Sequence, residues 1–201
     1  MRTVDPVKHA AKRRRILEAA AACFAEKGFH GTRTADICAR AGMSPGNVFH
    51  YFPSKHAIIA ALIEQDGAET ADHLAALTTA KDPLAALFGL VNDVVNLAAD
   101  PAYAGLALDT AAEAQRDEHI AALLARNDRA LRAGIAGLLR RAAADGGIDA
   151  TLDPDATATW IAAQIDGLFA RVATDPEFAP LEQAPMLRLL LTRFLGARPA
   201  R

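Results

Sequence analysis

The sequence predicts an all-α protein of nine helices, with a small N-terminal three-helix domain followed by a larger helical domain. Of its 201 residues, 52% are hydrophobic but only 5% are aromatic, and most of the apolar residues are alanine and leucine, which favour helix. No β-rich stretch stands out. Asp-Pro pairs recur at Asp82, Asp100, Asp153 and Asp175. An Asp cap followed by Pro at the first helical position is typical of helix starts, and at least three of these pairs are expected to begin helices.

The spacing of apolar residues between these starts and the glycines at Gly28 and Gly146 defines the helices. They are predicted at residues 8–27, 33–41, 45–51, 54–79, 83–98, 102–115, 117–144, 154–174 and 182–197. The fourth is long enough to leave the first domain and enter the next. We therefore divide the chain into an N-terminal domain of residues 1–56 and a second domain of residues 57–201.

The last two helices carry apolar residues on several faces. The stripe around Trp160 mixes small and large side chains, and residues 186–195 are apolar nearly all round. Because such a helix must be buried on several faces, we expect these helices to pack against their symmetry mates in a homodimer. The alternative is a central helix of a monomeric bundle.

Charge is distributed unevenly along the chain. Residues 1–56 contain ten Lys or Arg residues and four acids, a net charge of +6, so the remaining 145 residues carry −8 of the total of −2. This asymmetry indicates that the N-terminal domain binds a polyanion. No apolar run is long enough to span a bilayer and no signal core follows the basic N-terminus, so we expect a cytoplasmic protein that does not contact membranes.

Two cysteines, Cys23 and Cys38, lie within apolar helical patterns. They are expected to be small core residues, and a redox-sensing pair stays open. No cofactor or metal site is expected.

Residues 33–51 read as a helix, a tight turn and a second helix. Gly42 permits the turn, Ser44 caps the second helix and Pro45 occupies its first position. This arrangement places a second helix in the DNA major groove. Gly46 allows the backbone to approach DNA closely, and Asn47 carries an amide that pairs with a base edge.

Residues 16–59, "ILEAAAACFAEKGFHGTRTADICARAGMSPGNVFHYFPSKHAII", resemble the DNA-binding domain of the TetR family of transcriptional regulators. The resemblance implies a homodimer that binds a palindromic double-stranded DNA operator, with a pocket in the larger domain for a small-molecule effector of unknown identity. It also implies a DNA-binding set, in which some residues contact phosphate and others face the groove. That set is Arg33, Thr34, Ser44, Pro45, Gly46, Asn47, His50, Tyr51 and Lys55.

Polar and aromatic residues on the helices of the second domain are the candidates for contact with the effector. A buried polar group needs a partner, and a ligand is one such partner. The predicted ligand-binding residues are Phe88, Asn92, Asn96, Tyr103, Asp109, Glu113, His119, Trp160 and Gln164. Acidic groups together with aromatic ones suit a cationic or neutral amphipathic ligand.

The sequence therefore predicts a ligand-responsive regulator, most simply a repressor that its effector releases from the operator. An activator, or a DNA-binding architectural protein without an effector, are the alternatives. An enzyme is not expected, because the chain has no Gly-rich phosphate loop and His119 has no evident nucleophile partner.

Overall fold

The computed structural model describes residues 5–197, which form nine α-helices and no strand. The all-α class predicted from composition is thereby confirmed. No single described helix is long and apolar enough to cross a bilayer, and α5 and α6 pass that test only together, as a bent pair. In chain order the helices are α1 (Pro6–Gly31), α2 (Thr34–Ala41), α3 (Pro45–Tyr51), α4 (Lys55–Leu77), α5 (Pro83–Ala98), α6 (Pro101–Ala114), α7 (Glu118–Ala144), α8 (Pro154–Thr174) and α9 (Pro180–Phe194).

Three of the four Asp-Pro pairs considered in the sequence analysis begin helices, as predicted. The carboxylates of Asp82 and Asp153 accept hydrogen bonds from backbone N–H groups in the first turns of α5 and α8, and α6 follows Asp100. Asp175 behaves differently because it lies directly after the end of α8, where its carboxylate pairs with Arg171 at 2.6 Å. The last helix begins instead at Pro180, two residues before its predicted start.

The chain folds as two compact units. The first comprises the described residues up to Asp66 together with Gly105–Leu123, and the second comprises Gly67–Ala104 and the described residues from Leu124 onward. Helix α4 contributes its first half to one unit and its second half to the other. The predicted division into a DNA-binding domain of residues 1–56 and a ligand-binding and dimerisation domain of residues 57–201 stays a prediction.

The first unit has a small apolar core. Both cysteines lie in it, unpaired and buried, which confirms the prediction that they are core residues. Burial raises the pKa of the Cys23 thiol, which keeps it protonated and unreactive. The largest fully buried side chains of the three N-terminal helices and of α4 in this unit are Ile16, Phe24, Ile37, Val48 and Ile58.

The second unit is built around α5, which packs against both α8 and α9. Its core side chains are aliphatic almost throughout, so its stability comes from non-directional apolar burial. The central members are Leu87, Val95, Ile135, Leu139, Ile161 and Leu195.

Candidate functional site

The turn between α2 and α3 is formed by residues suited to it. Gly42 has φ of +60°, a conformation that favours glycine. Ser44 follows, and its hydroxyl oxygen accepts a hydrogen bond from the backbone N–H of Asn47 at 3.3 Å. Pro45 begins α3, where the missing N–H costs nothing. The turn, the cap and the start of the helix are those predicted from the sequence.

The N-terminal end of α3 is open to solvent. Pro45 and Gly46 are exposed and Asn47 is half-buried, and a methyl group added to Gly46 would meet no atom within 4 Å. On its other side α3 is anchored by Val48 and Phe52, which are buried. A short helix that is packed on one side and solvent-exposed at its N-terminal end can enter a groove of another molecule.

Tyr51, at the C-terminal end of α3, is held between two histidines. Its ring centroid lies 4.7 Å from that of His9 in α1 and 5.3 Å from that of His50. The sequence offered no reason to select His9, because its partner is 42 positions away. The predicted contact residue His50 is exposed, whereas Tyr51 is half-buried.

The start of α2 is stabilised by charge. The backbone N–H of Arg33 donates to the Asp36 carboxylate at 2.8 Å, and the Lys27 ammonium donates to the other oxygen of that carboxylate at 2.8 Å. The Lys27 ammonium and then the Arg33 N–H lower the pKa of Asp36. The side chain of Arg33 is left exposed beside the half-buried Thr34.

Lys55, at the start of α4, has backbone partners inside the protein. Its ammonium donates to the carbonyl oxygen of Phe29 at 2.5 Å and to that of Thr32 at 3.0 Å. An ammonium has three N–H groups, so one is left for a further acceptor. Lys55 belongs to the predicted DNA-binding set, and any contact of its ammonium with a DNA phosphate would use this third N–H; that contact stays a prediction.

Three residues predicted to bind the effector lie in the first unit and have protein partners there. The Asp109 carboxylate accepts a hydrogen bond from the backbone N–H of Phe29 at 3.0 Å. Glu113 pairs with the Nε2 of His30 at 3.2 Å. The ring centroid of His119 lies 5.8 Å from that of His56.

His56 also links α4 to the start of α7. Its Nε2 lies 2.6 Å from a carboxylate oxygen of Asp117, whose other oxygen accepts from the backbone N–H groups of His119 and Ile120. The N–H of Ile120, followed by the His56 side chain, lowers the pKa of Asp117. The first unit thus holds a network of histidine and carboxylate pairs that sequence spacing does not reveal.

The other six predicted effector contacts lie in the second unit. The buried ring of Phe88 is covered by the Arg188 guanidinium, 4.3 Å from its centroid. Tyr103 is half-buried, with its ring centroid 6.0 Å from that of Phe169. The remaining four, all exposed, are Asn92, Asn96, Trp160 and Gln164.

An apolar surface is left uncovered on α8 and α9. The Trp160 side chain is 64% exposed, although tryptophan side chains are on average highly buried. Five large apolar side chains of α9 are exposed as well, and four of them lie within residues 186–195, which were predicted to be apolar nearly all round. They are Leu181, Met186, Leu189, Leu190 and Phe194.

Comparisons with known proteins cover both parts of the chain. Residues 16–62 match the model of the bacterial regulatory proteins of the tetR family. Residues 83–196 match the model of the C-terminal domain of BetI-type transcriptional repressors. These matches include α2, α3, α8 and α9.

Individual relatives are similar along nearly their whole length. The HTH-type transcriptional regulator UidR of Escherichia coli (strain K12) is 28% identical over 189 residues, which cover 92% of this chain and 93% of UidR. The solved structure of Salmonella enterica GusR is 30% identical with a TM-score of 0.75, covering 93% of this chain and 96% of GusR. A transcriptional regulator from Saccharomonospora viridis, solved in complex with choline, is 26% identical with a TM-score of 0.78, covering 92% of this chain and 96% of its own.

The helix-turn-helix geometry of α2 and α3 agrees with these comparisons. Two family models together match most of the chain, and the relatives are regulators rather than enzymes. The chain belongs to the TetR family of helix-turn-helix transcriptional regulators.

Proposed function

We propose that this protein binds a palindromic DNA operator as a homodimer and represses transcription until a small-molecule effector releases it. The observation that carries the proposal is the solvent-exposed start of α3. Pro45 and Gly46 are exposed and Asn47 is half-buried, while the other side of the helix is packed into the protein. An α-helix fits the major groove, and the N-terminal residues of a recognition helix contact base edges there. The protein acts in the cytoplasm, where its operator is located.

The residues at this surface have different roles in the proposed complex. Asn47 pairs with a base edge through its amide, and Gly46 lets the backbone approach. The hydroxyl, ammonium, guanidinium and imidazole groups around α3 bind phosphate, which positions the helix without reading sequence. These phosphate-binding residues are Arg33, Thr34, Ser44, His50, Tyr51 and Lys55.

The exposed apolar surface on α8 and α9 supports the homodimer. A second copy of the chain offers the same surface, and a two-fold interface is self-complementary. Trp160 and Phe194 are the largest side chains that such an interface would bury. Two copies of α3 then read half-sites about 34 Å apart, one helical turn of DNA, or a multiple of that distance.

The effector acts by shifting the conformational equilibrium of the protein away from the state that binds the operator. Helix α4 contributes residues to both units, and a change in its course on effector binding alters the separation of the two α3 helices. A coupling free energy of about 1–3 kcal/mol lowers operator affinity about 5- to 150-fold, enough to release a repressor. The effector is a cationic or neutral amphipathic molecule, and the choline complex of the S. viridis regulator is in keeping with a cationic one.

Selection of DNA from a randomised duplex library tests the proposal directly. The full chain is expected to enrich a palindromic sequence, and light scattering is expected to give the mass of a dimer. Asn47→Ala should change the preference at one base pair of each half-site, whereas Lys55→Ala should weaken binding to every sequence and flatten the salt dependence. Lys55→Ala also removes the hydrogen bonds that the ammonium donates to the carbonyls of Phe29 and Thr32. Thermal unfolding of the variant shows whether this loss destabilises the fold, and so separates it from the loss of the phosphate contact.

Three outcomes would contradict the proposal. Enrichment of no sequence would exclude operator binding, and Lys55→Ala with unchanged affinity and salt dependence would exclude its phosphate contact. A screen of metabolites against the selected duplex tests the effector. Failure of every metabolite to release the DNA would favour a regulator without an effector.

A further inference from the structure

The first turns of α1 carry a basic run that the helix-turn-helix does not explain. Between Pro6 and Leu17 there are five Lys or Arg residues and no acid. In the sequence alone this run is equally well explained as a solvated helix face. The structure distinguishes the members of the run by what each side chain contacts.

Two residues of α1 fix its first turns against α3. The His9 ring contacts that of Tyr51 at an interplanar angle of 45°, with centroids 4.7 Å apart. One turn later, the Arg13 guanidinium lies 4.8 Å from the ring centroid of Phe52, which caps the end of α3. The N-terminal part of α1 is therefore held in a defined position beside the proposed recognition helix.

Arg15 brings a positive charge to the turn that precedes α3. A methyl group added to Gly42 would be only 2.7 Å from Nη2 of Arg15, so the guanidinium lies directly over this turn. Successive residues of an α-helix are rotated by about 100°. Lys8, Lys12 and Arg15 consequently lie within about 60° of one another on one flank of α1, next to the side that carries His9 and Arg13.

The charges on this flank are poorly neutralised within the protein. Lys12 and Arg15 are exposed, and neither side chain has a hydrogen bond or ion pair with another residue between 5 and 197. Among the residues that the structure describes, the Lys8 ammonium pairs only with the exposed Asp5, at 3.6 Å. Arg14, on another side of the helix, pairs with Glu18 at 3.5 Å. Like charges that repel one another and lack partners are stabilised by a polyanion.

We propose that Lys8, Lys12 and Arg15 form a phosphate-binding strip that extends the DNA interface from the helix-turn-helix onto α1. The inference rests on the proposed function, because the strip adjoins DNA only when α3 enters the groove. Its contacts are with phosphate and not with bases, so it adds affinity for any duplex and no sequence preference. The strip also gives His9 and Arg13 a role, since they hold it beside α3.

The salt dependence of binding tests the strip. Lys12→Gln and Arg15→Gln, separately and combined, are compared with Arg14→Gln, which removes the same charge from another side of α1. Each phosphate contact contributes about 0.9 to the slope of log K against log salt. Because a homodimer carries each residue twice, each strip substitution should reduce the magnitude of this slope by about 1.8. At ~0.1 M salt, affinity should fall about eightfold for each phosphate that is no longer bound, equally for the selected duplex and for a scrambled one.

Lys12→Arg should keep the wild-type slope, because it retains the charge. Equal slopes for Arg14→Gln and both strip variants would overturn the proposal, as would a weakening confined to the selected duplex. Lys12 is the decisive position, since it is exposed and its replacement does not disturb the turn at Gly42; thermal unfolding confirms that each variant is folded. If the wild-type chain binds neither duplex, the proposed function itself fails. If the wild-type chain binds DNA and the strip variants have the same slope as Arg14→Gln, α3 still binds DNA but the strip does not contact phosphate.

Discussion

Replacing Gly46 by alanine separates the needs of the fold from those of DNA binding. The added methyl group meets no atom within 4 Å, and Gly within a helix is less favourable than Ala by about 0.5–1 kcal/mol. The free energy of unfolding of Gly46→Ala should therefore stay unchanged or rise by up to about 1 kcal/mol. Urea denaturation followed by circular dichroism measures this difference.

The affinity of Gly46→Ala for the operator should fall, although its stability does not. If α3 enters the major groove, the methyl group stands between its backbone and the base edges. Displacing one good base contact costs about 1–3 kcal/mol, which corresponds to a decrease of about 5- to 150-fold in affinity. Fluorescence anisotropy with the selected duplex measures this decrease.

Gly89→Ala provides the matched control. Gly89 lies in α5, and a methyl group there also meets no atom within 4 Å. It should give a similar gain in stability and leave DNA affinity unchanged. Gly46→Ala that binds the operator as tightly as wild type would contradict the entry of α3 into the groove, and a loss of more than about 1 kcal/mol of stability would contradict the open space at Gly46.

Four further substitutions test the contacts described above. Gly28 has φ of +69°, and a methyl group would lie 3.1 Å from a carboxylate oxygen of Asp109, so Gly28→Ala should lower the free energy of unfolding by about 2–4 kcal/mol in urea. Arg141 donates to three backbone carbonyls at the end of α4 and in the turn after it; Arg141→Met should cost about 2–3 kcal/mol, and an unchanged urea midpoint would contradict this. The folded-state pKa of Asp117 lies below the ordinary 3.8, so its stabilisation is present above that pH and is lost as the pH falls through the folded-state value. Asp117→Asn should accordingly be less stable than wild type at pH 7, with the difference closing below about pH 4 in pH-dependent thermal unfolding. Leu190→Glu places a charge on the exposed apolar surface and should give a monomer in light scattering; a dimer would place the interface elsewhere.

Local signals predicted most of the fold. Asp-Pro caps and apolar spacing placed all nine helices within about four residues at either end. The same capping rule applied to Asp5 and Pro6 would have placed the start of α1 correctly, because the Asp5 carboxylate accepts a hydrogen bond from the N–H of Val7 at 3.1 Å. The end of α1 differs for another reason: the chain turns at Gly28, as predicted, but helical hydrogen bonding resumes to Gly31.

The start of the recognition helix was also predictable, since a glycine turn, a serine cap and a proline act within a few residues. The partners of Asp109 and Lys55 were not. Asp109 contacts Phe29, 80 positions away, and Lys55 contacts two carbonyls of the α1 end region. Such pairs depend on how distant helices meet, and no spacing in the sequence encodes them. For the same reason, the sequence did not predict that His9 and Arg15 lie beside α3 and the turn before it.

The most direct test of the central claim is affinity cleavage of the selected duplex by an iron chelate attached to Phe49→Cys. Phe49 is 45% exposed on α3, whereas Cys23 and Cys38 are buried and should resist labelling. If α3 of each subunit enters the major groove, the labelled protein should cleave at two positions symmetric about the operator centre. These positions should be about one helical turn apart, or a multiple of that distance. Tight binding with no cleavage, or with cleavage at a single position outside the half-sites, would contradict the assignment of α3 as the recognition helix.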